Sequence, residues 1–66
     1  MRIFLNGEEK VLKGKMTIAD LVLELELDVK KIAVEKDLEI VNPQSFQEVV
    51  LEDGSKVEIV HFIGGG

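Results

Sequence analysis

The sequence predicts an α+β domain in which one helix covers one face of a small mixed sheet of four to five strands. Three features predict it. The dipeptide Asn6-Gly7 follows a β-rich run, a stripe of apolar residues at helical spacing starts just after Thr17, and a period-two segment runs from Val57 to Phe62.

Arg2-Ile3-Phe4-Leu5 reads as a first strand that turns at Asn6-Gly7 and returns over Glu9 to Leu12. Lys13-Gly14-Lys15 interrupts the pattern. Thr17, three residues before Asp20, then suits a helix N-cap with an acidic group in the first turn. Ile18, Leu21, Val22 and Leu25 follow at i, i+3, i+4 and i+7, so they face a core while Asp20 and Glu24 face water. Leu23 lies off that stripe and is expected at the surface. Ile32-Ala33-Val34-Glu35 reads as a third strand, and Glu39-Ile40-Val41 as a short fourth beyond Lys36-Asp37. Asn42-Pro43 suits the start of a one-turn helix, with Phe46 and Val49 packed inward. Asp53-Gly54 marks a turn before the last strand, in which Val57 and Ile59, with His61, share one face, and Glu58, Val60 and Phe62 the other.

A chain of 66 residues makes one small domain, expected over residues 1–63 with a flexible glycine tail at 64–66, and is too short for a deep catalytic cleft. Its 45% hydrophobic content argues against disorder. It has no apolar run near the roughly 20 residues of a membrane span, and no signal peptide pattern, so a cytoplasmic location is expected. The absence of cysteine excludes disulfides, thiolate metal sites and cysteine nucleophiles. A net charge of −5 disfavours nucleic acid, whose phosphates demand cations, and favours a basic partner surface.

If Ile3, Leu5, Val57 and Ile59 face the helix, alternation puts Phe4, Val60 and Phe62 on the uncovered sheet face. Exposed apolar and aromatic groups gathered on a small domain mark a protein contact. His61, the only histidine, has no nucleophile or orienting group at a recognisable spacing and reads as a packed or solvent-facing residue. Glu8-Glu9, Glu24 with Glu26, and Glu52-Asp53 lack the ligand spacing of a calcium loop or metal triad, so no metal is expected. Gly64 to Gly66 are no phosphate loop, because no helix follows them, and the chain is not expected to bind ATP.

What remains is the Gly66 carboxylate as a substrate. Three glycines carry no Cβ and reach about 10 Å when extended, so Gly64 and Gly65 would thread a partner's narrow channel. Attack of that carboxylate on the α-phosphate of ATP, in a separate enzyme, would give an acyl-adenylate open to acyl transfer. Without cysteine, a sulfur cargo would travel as a C-terminal thiocarboxylate. On this reading the chain is a protein substrate and not an enzyme.

The opening Met1-Arg2-Ile3-Phe4-Leu5-Asn6-Gly7, the helix start Thr17-Ile18-Ala19-Asp20-Leu21, Ile32-Ala33-Val34-Glu35, Leu51-Glu52-Asp53-Gly54 and Val57-Glu58-Ile59-Val60 before Ile63-Gly64-Gly65-Gly66 together resemble the thiamine-biosynthesis sulfur carrier family, ThiS. The resemblance implies a ubiquitin-like β-grasp fold and adenylation of Gly66 by an adenylyltransferase related to ubiquitin-activating enzymes, which uses the ATP. It further implies conversion to a thiocarboxylate with a sulfur donor protein, and delivery of sulfur to thiazole synthase. Of the family's functional residues, Gly65-Gly66 carry over. The chain departs from the family at Lys36-Asp37-Leu38-Glu39, where an asparagine-glycine-like turn is usual, and at Asn42-Pro43-Gln44-Ser45-Phe46, where a proline-basic-tryptophan-like stretch is common. The small subunit of molybdopterin synthase and a cysteine-synthesis sulfur carrier share the fold and double-glycine end. A non-catalytic β-grasp interaction domain is the alternative of a different class.

Overall fold

The Asn6-Gly7 signal produces the expected hairpin: β1 (Arg2–Leu5) pairs antiparallel with β2 (Glu8–Val11), and both turn residues take positive φ, 50° and 82°. Such angles define the primed turns that match strand twist, and asparagine and glycine tolerate them best. The second strand thus begins one residue earlier than its apolar content suggests, at Glu8, and Leu12 lies beyond its end, buried. The computed structural model describes residues 1–62.

Helix α1 (Ile18–Glu24) starts where the cap predicts. Thr17 Oγ1 accepts from the Asp20 amide at 3.1 Å and Asp20 Oδ2 accepts from the Thr17 amide at 2.9 Å, a reciprocal capping box. Seven residues are too few to hold a helix in water. Burial of Ile18, Leu21 and Val22 against the sheet supplies the rest, with Leu25 half-buried beside them, while Leu23 is exposed as expected. At the C-terminus Leu27 N–H bonds the Val22 carbonyl and Glu26 N–H the Leu23 carbonyl. This is a Schellman closure with Glu26 at φ 58°, a position that usually holds glycine.

A 3₁₀ turn at Val29–Lys31, capped by Asp28, leads into β3 (Ile32–Lys36), which forms a hairpin with β4 (Glu39–Val41). A second 3₁₀ turn, Pro43–Ser45, is capped by Asn42, and β5 (Lys56–His61) follows the Asp53-Gly54 turn. Among the described residues the sheet has five strands in the order β2-β1-β5-β3-β4. The last strand therefore lies in the middle, parallel to β1 and antiparallel to β3, so the sheet is mixed as predicted. Ile3, Val34, Val57, Phe46 and Leu51 pack with the helix on one face. Ser55 is buried with them, its Oγ accepting from the Glu52 amide at 2.9 Å, and among the described residues no buried side-chain polar atom lacks a partner.

Candidate functional site

Everything proposed for the terminus depends on how β5 is held. On one side it pairs with β3 from Lys36↔Val57 to Ile32↔His61, and the Phe62 amide continues the ladder to the Lys31 carbonyl at 2.8 Å. On the other side the pairing with β1 ends at Leu5↔Val57. There the Asn6 side chain takes over: its Oδ1 accepts from the Ile59 amide at 2.8 Å and its Nδ2 donates to the Ile59 carbonyl at 3.3 Å. One carboxamide thus mimics a further strand residue, holding β5 two positions closer to its exit. Sequence reasoning assigned Asn6 only to its turn. The partner lies 53 positions away, and nothing local signals it.

The predicted exposed group is exposed. Phe4 retains 37% of its surface, Val60 58% and Phe62 58%, all on the face away from α1. Register places them in rows: Phe4 beside Lys56, Val60 beside Ala33, and Phe62 beside Lys31. Ile40 joins this face opposite Glu35 and is 81% exposed, a member that the sequence reading did not include because three residues of β4 show too little alternation. Ala33, Ile40 and Phe62, with Val29, Val41 and Pro43, line a groove of about 660 Å³ where β4 stops short of the start of β3. His61 shares the register of the helix-facing row, opposite Ile32, but is itself exposed. The predicted threading and reactive positions, Gly64, Gly65 and Gly66, lie outside the described residues.

At the other end of β5 a charged clasp fixes the strand's start. Asp37 Oδ1 accepts from the Lys56 amide at 3.0 Å, its own amide donates to the Lys56 carbonyl at 2.7 Å, and Lys36 Nζ reaches Asp37 Oδ2 at 3.0 Å and Glu52 Oε1 at 3.4 Å. The amide of Lys56, and then the Lys36 ammonium, hold the Asp37 carboxyl below the ordinary carboxylate value. The bond to Asp37 in turn raises Lys36, against a smaller opposing effect of burial. Among the described residues no three acidic, histidine or cysteine side chains converge as metal ligands, and no helix is long and apolar enough to cross a membrane.

Comparison with known proteins gives this geometry a context. The sequence model of the ThiS family matches residues 3–66. The sulfur carrier protein ThiS of Bacillus subtilis is 43% identical over 63 residues, covering 94% of this chain and 96% of that one. A thiazole synthase of Paramagnetospirillum magneticum is 48% identical over 66 residues, which are all of this chain and 20% of the relative. A thiazole synthase of Magnetococcus marinus is 38% identical, again over 20% of its length. The chain thus spans about a fifth of those two relatives. The crystal structure of a thiamine biosynthesis protein, ThiS, from Geobacter metallireducens superposes with a TM-score of 0.86 at 26% identity, each chain covered in full.

Proposed function

The chain belongs to the ThiS family, and from that premise we propose that it is a sulfur carrier of thiamine biosynthesis whose cargo rides on Gly66. The observation that carries the proposal is the match of the family along residues 3–66, through the terminal glycines. The chain is a carrier and not a catalyst. A partner adenylyltransferase related to ubiquitin-activating enzymes supplies the catalytic groups and uses the ATP.

In the first step a Gly66 carboxylate oxygen bonds to the α-phosphorus of ATP, and the bond to the leaving pyrophosphate breaks, giving an acyl-adenylate. In the second, sulfur at the oxidation level of sulfide, from a donor protein, attacks the acyl carbon, and AMP leaves with its oxygen. The product is a thiocarboxylate, which passes its sulfur on to thiazole synthase. This chain's share is positional. Pairing of β5 on both flanks up to Ile59, on the β1 side through the Asn6 side chain at Ile59 itself, holds firm the strand that precedes the glycines in sequence. Gly64 and Gly65 lack the side chains that would block a narrow channel. Phe4, Val60 and Phe62 supply apolar contact for partners beside that exit.

The test is fragment mass spectrometry of the whole chain after incubation with ATP, a sulfur donor and extract of its own cell. Exchange of sulfur for oxygen localised to Gly66 is expected. Localisation matters because oxidation of Met1 or Met16 shifts the mass almost equally. An unmodified Gly66 in an extract that modifies a known carrier would overturn the proposal.

A further inference from the structure

Two devices meet at Asn6. With Gly7 it closes the β1–β2 turn at positive φ, and its carboxamide secures the β1 flank of β5 on Ile59, 53 positions away. An asparagine followed by glycine is also the sequence most open to attack by a backbone nitrogen on the side-chain carboxamide before it, because glycine has no Cβ to shield its own nitrogen. Gly7 is exposed, a Cβ placed on it would meet nothing within 4 Å, and among the described residues its amide donates to no acceptor. The nucleophile is therefore free. At two comparable places in the chain it is not. Asn42 precedes Pro43, whose nitrogen has no proton to lose. In Asp53-Gly54 the Gly54 amide donates to the Arg2 carbonyl at 2.7 Å and Asp53 Oδ1 accepts from the Arg2 amide at 2.9 Å, so both reacting groups are engaged.

At Asn6 only the electrophile is engaged, through the Ile59 amide at 2.8 Å and the Ile59 carbonyl at 3.3 Å. Ring closure turns Cγ onto the Gly7 nitrogen, which breaks both of these bonds. We propose that Asn6 is a site of spontaneous deamidation gated by the fold: reaction waits on release of the side chain from Ile59, and its product leaves β5 without a clamp on the β1 side. In the first step the Gly7 nitrogen, its proton given up to solvent base, bonds to Asn6 Cγ. The bond from Cγ to Nδ2 breaks, Nδ2 takes a proton from water and leaves as ammonia, and a succinimide remains. Water then adds to one of the two ring carbonyl carbons and its bond to the ring nitrogen breaks. Opening at Cγ gives aspartate, and opening at the main-chain carbon gives isoaspartate. The sum is amide plus water to acid plus ammonia, with nothing oxidised or reduced. Aspartate has no donor for the Ile59 carbonyl and sets a second acceptor against it. Isoaspartate also adds a carbon to the main chain inside a two-residue turn, which loses its fit to the strands. The reaction needs only water and does not depend on the carrier reading.

The test incubates the purified wild-type chain in mildly alkaline buffer, once folded and once in denaturing guanidinium chloride. Deamidation adds a negative charge, so anion exchange separates the products and fragment mass spectrometry localises them. Reaction is expected at Asn6 in both conditions and not at Asn42. The folded chain should react about tenfold to a hundredfold more slowly, the protection that two net hydrogen bonds supply. Below the unfolding transition, added denaturant should raise the rate in step with hydrogen exchange at the Ile59 amide. The isolated isoaspartate product should show faster exchange at Ile59 and a lower Tm than unreacted chain. Equal rates in the two conditions would overturn the gating. A folded-state rate as low as that set by global unfolding would overturn it too, since only unfolded chain would then react. Reaction at Asn42 as fast as at Asn6 would overturn the choice of site, and unchanged Ile59 exchange in the product would overturn the consequence for β5.

Discussion

Replacing Leu38 by glycine should make the domain more stable, although it deletes an entire apolar side chain. Asp37 and Leu38 both have positive φ, 51° and 73°, the requirement of a type I′ turn between β3 and β4. For an L-residue with a branched side chain, that region costs roughly 1–2 kcal/mol, a penalty that glycine escapes. Leu38 is 88% exposed, so almost no burial is lost with it. The opposing effect is the greater freedom of glycine in the unfolded chain, about 0.4–1 kcal/mol. The balance is a gain of about 0.5–1 kcal/mol, a rise in Tm of about 2–8 °C for a domain of this size. Thermal unfolding followed by circular dichroism, with urea midpoints at constant m-value, measures it. Leu38→Ala is the control: it keeps the Cβ that makes φ 73° costly and should gain nothing comparable. A fall in stability for Leu38→Gly would refute the reasoning and show that the leucine makes a contact worth more than its strain.

Three further outcomes follow from the same structure. Glu26→Gly should gain about 0.5–1 kcal/mol by relieving the αL position after α1 and removing a negative charge from the negative end of the helix dipole, read as a higher urea midpoint. Asn6→Gly keeps the turn geometry but removes both bonds to Ile59. It should cost about 1 kcal/mol and speed hydrogen exchange at the Ile59 amide, and unchanged exchange there would show the carboxamide to be dispensable. Because the folded state lowers the Asp37 carboxyl, its stabilising contribution is fully present above the ordinary value of 3.8 and is lost as pH falls through the folded value. The stability advantage of wild type over Asp37→Asn should accordingly shrink on acidification below about pH 4, and a pH-independent difference would assign the effect to packing instead.

How much of this was legible beforehand depended on the range of the interaction. Asn6-Gly7, Thr17 with Asp20, and Asn42-Pro43 act within a few residues, so their turn, capping box and 3₁₀ turn could be named from the sequence. Period two correctly divided Ile3, Val57 and Ile59 from Phe4, Val60 and Phe62, because burial on one face fixes the register. The parallel pairing of β1 with β5 left no such trace, since neither strand's pattern changes with its neighbour's direction. Without that pairing the link from Asn6 to Ile59 could not be foreseen. Positive φ at Glu26 and Leu38 was hidden for a different reason: these residue types disfavour the conformation, and the ladder and helix end around them impose it.

If Gly66 carries the cargo as proposed, the placement of β5, the last strand among the described residues, decides how firmly the chain before it is held. A terminal strand at a sheet edge would hold by one ladder, and its last residues would open with little loss. Here the strand is central, and each flank is secured by a different device. The β3 flank runs on through Phe62 by backbone pairing alone, whereas the β1 flank stops at Leu5 and depends on one asparagine to reach Ile59. From Val60 to Phe62 the chain is therefore held on one side only, and opening on the β1 side should begin just past Ile59, next to the apolar group proposed as the partner contact. Asn6 consequently sets how much of β5 is fixed body and how much can adjust to a channel. Asn6→Gly should lengthen the adjustable part by about two residues, the span from Val57 to Ile59 that the side chain now covers. Amide exchange read residue by residue along β5 tests this: protection should fall first at Ile59, while Val57 and the β3-facing amides of Val60 and Phe62 stay protected, and uniform loss along the strand would mean that Asn6 stabilises the whole domain and not its exit.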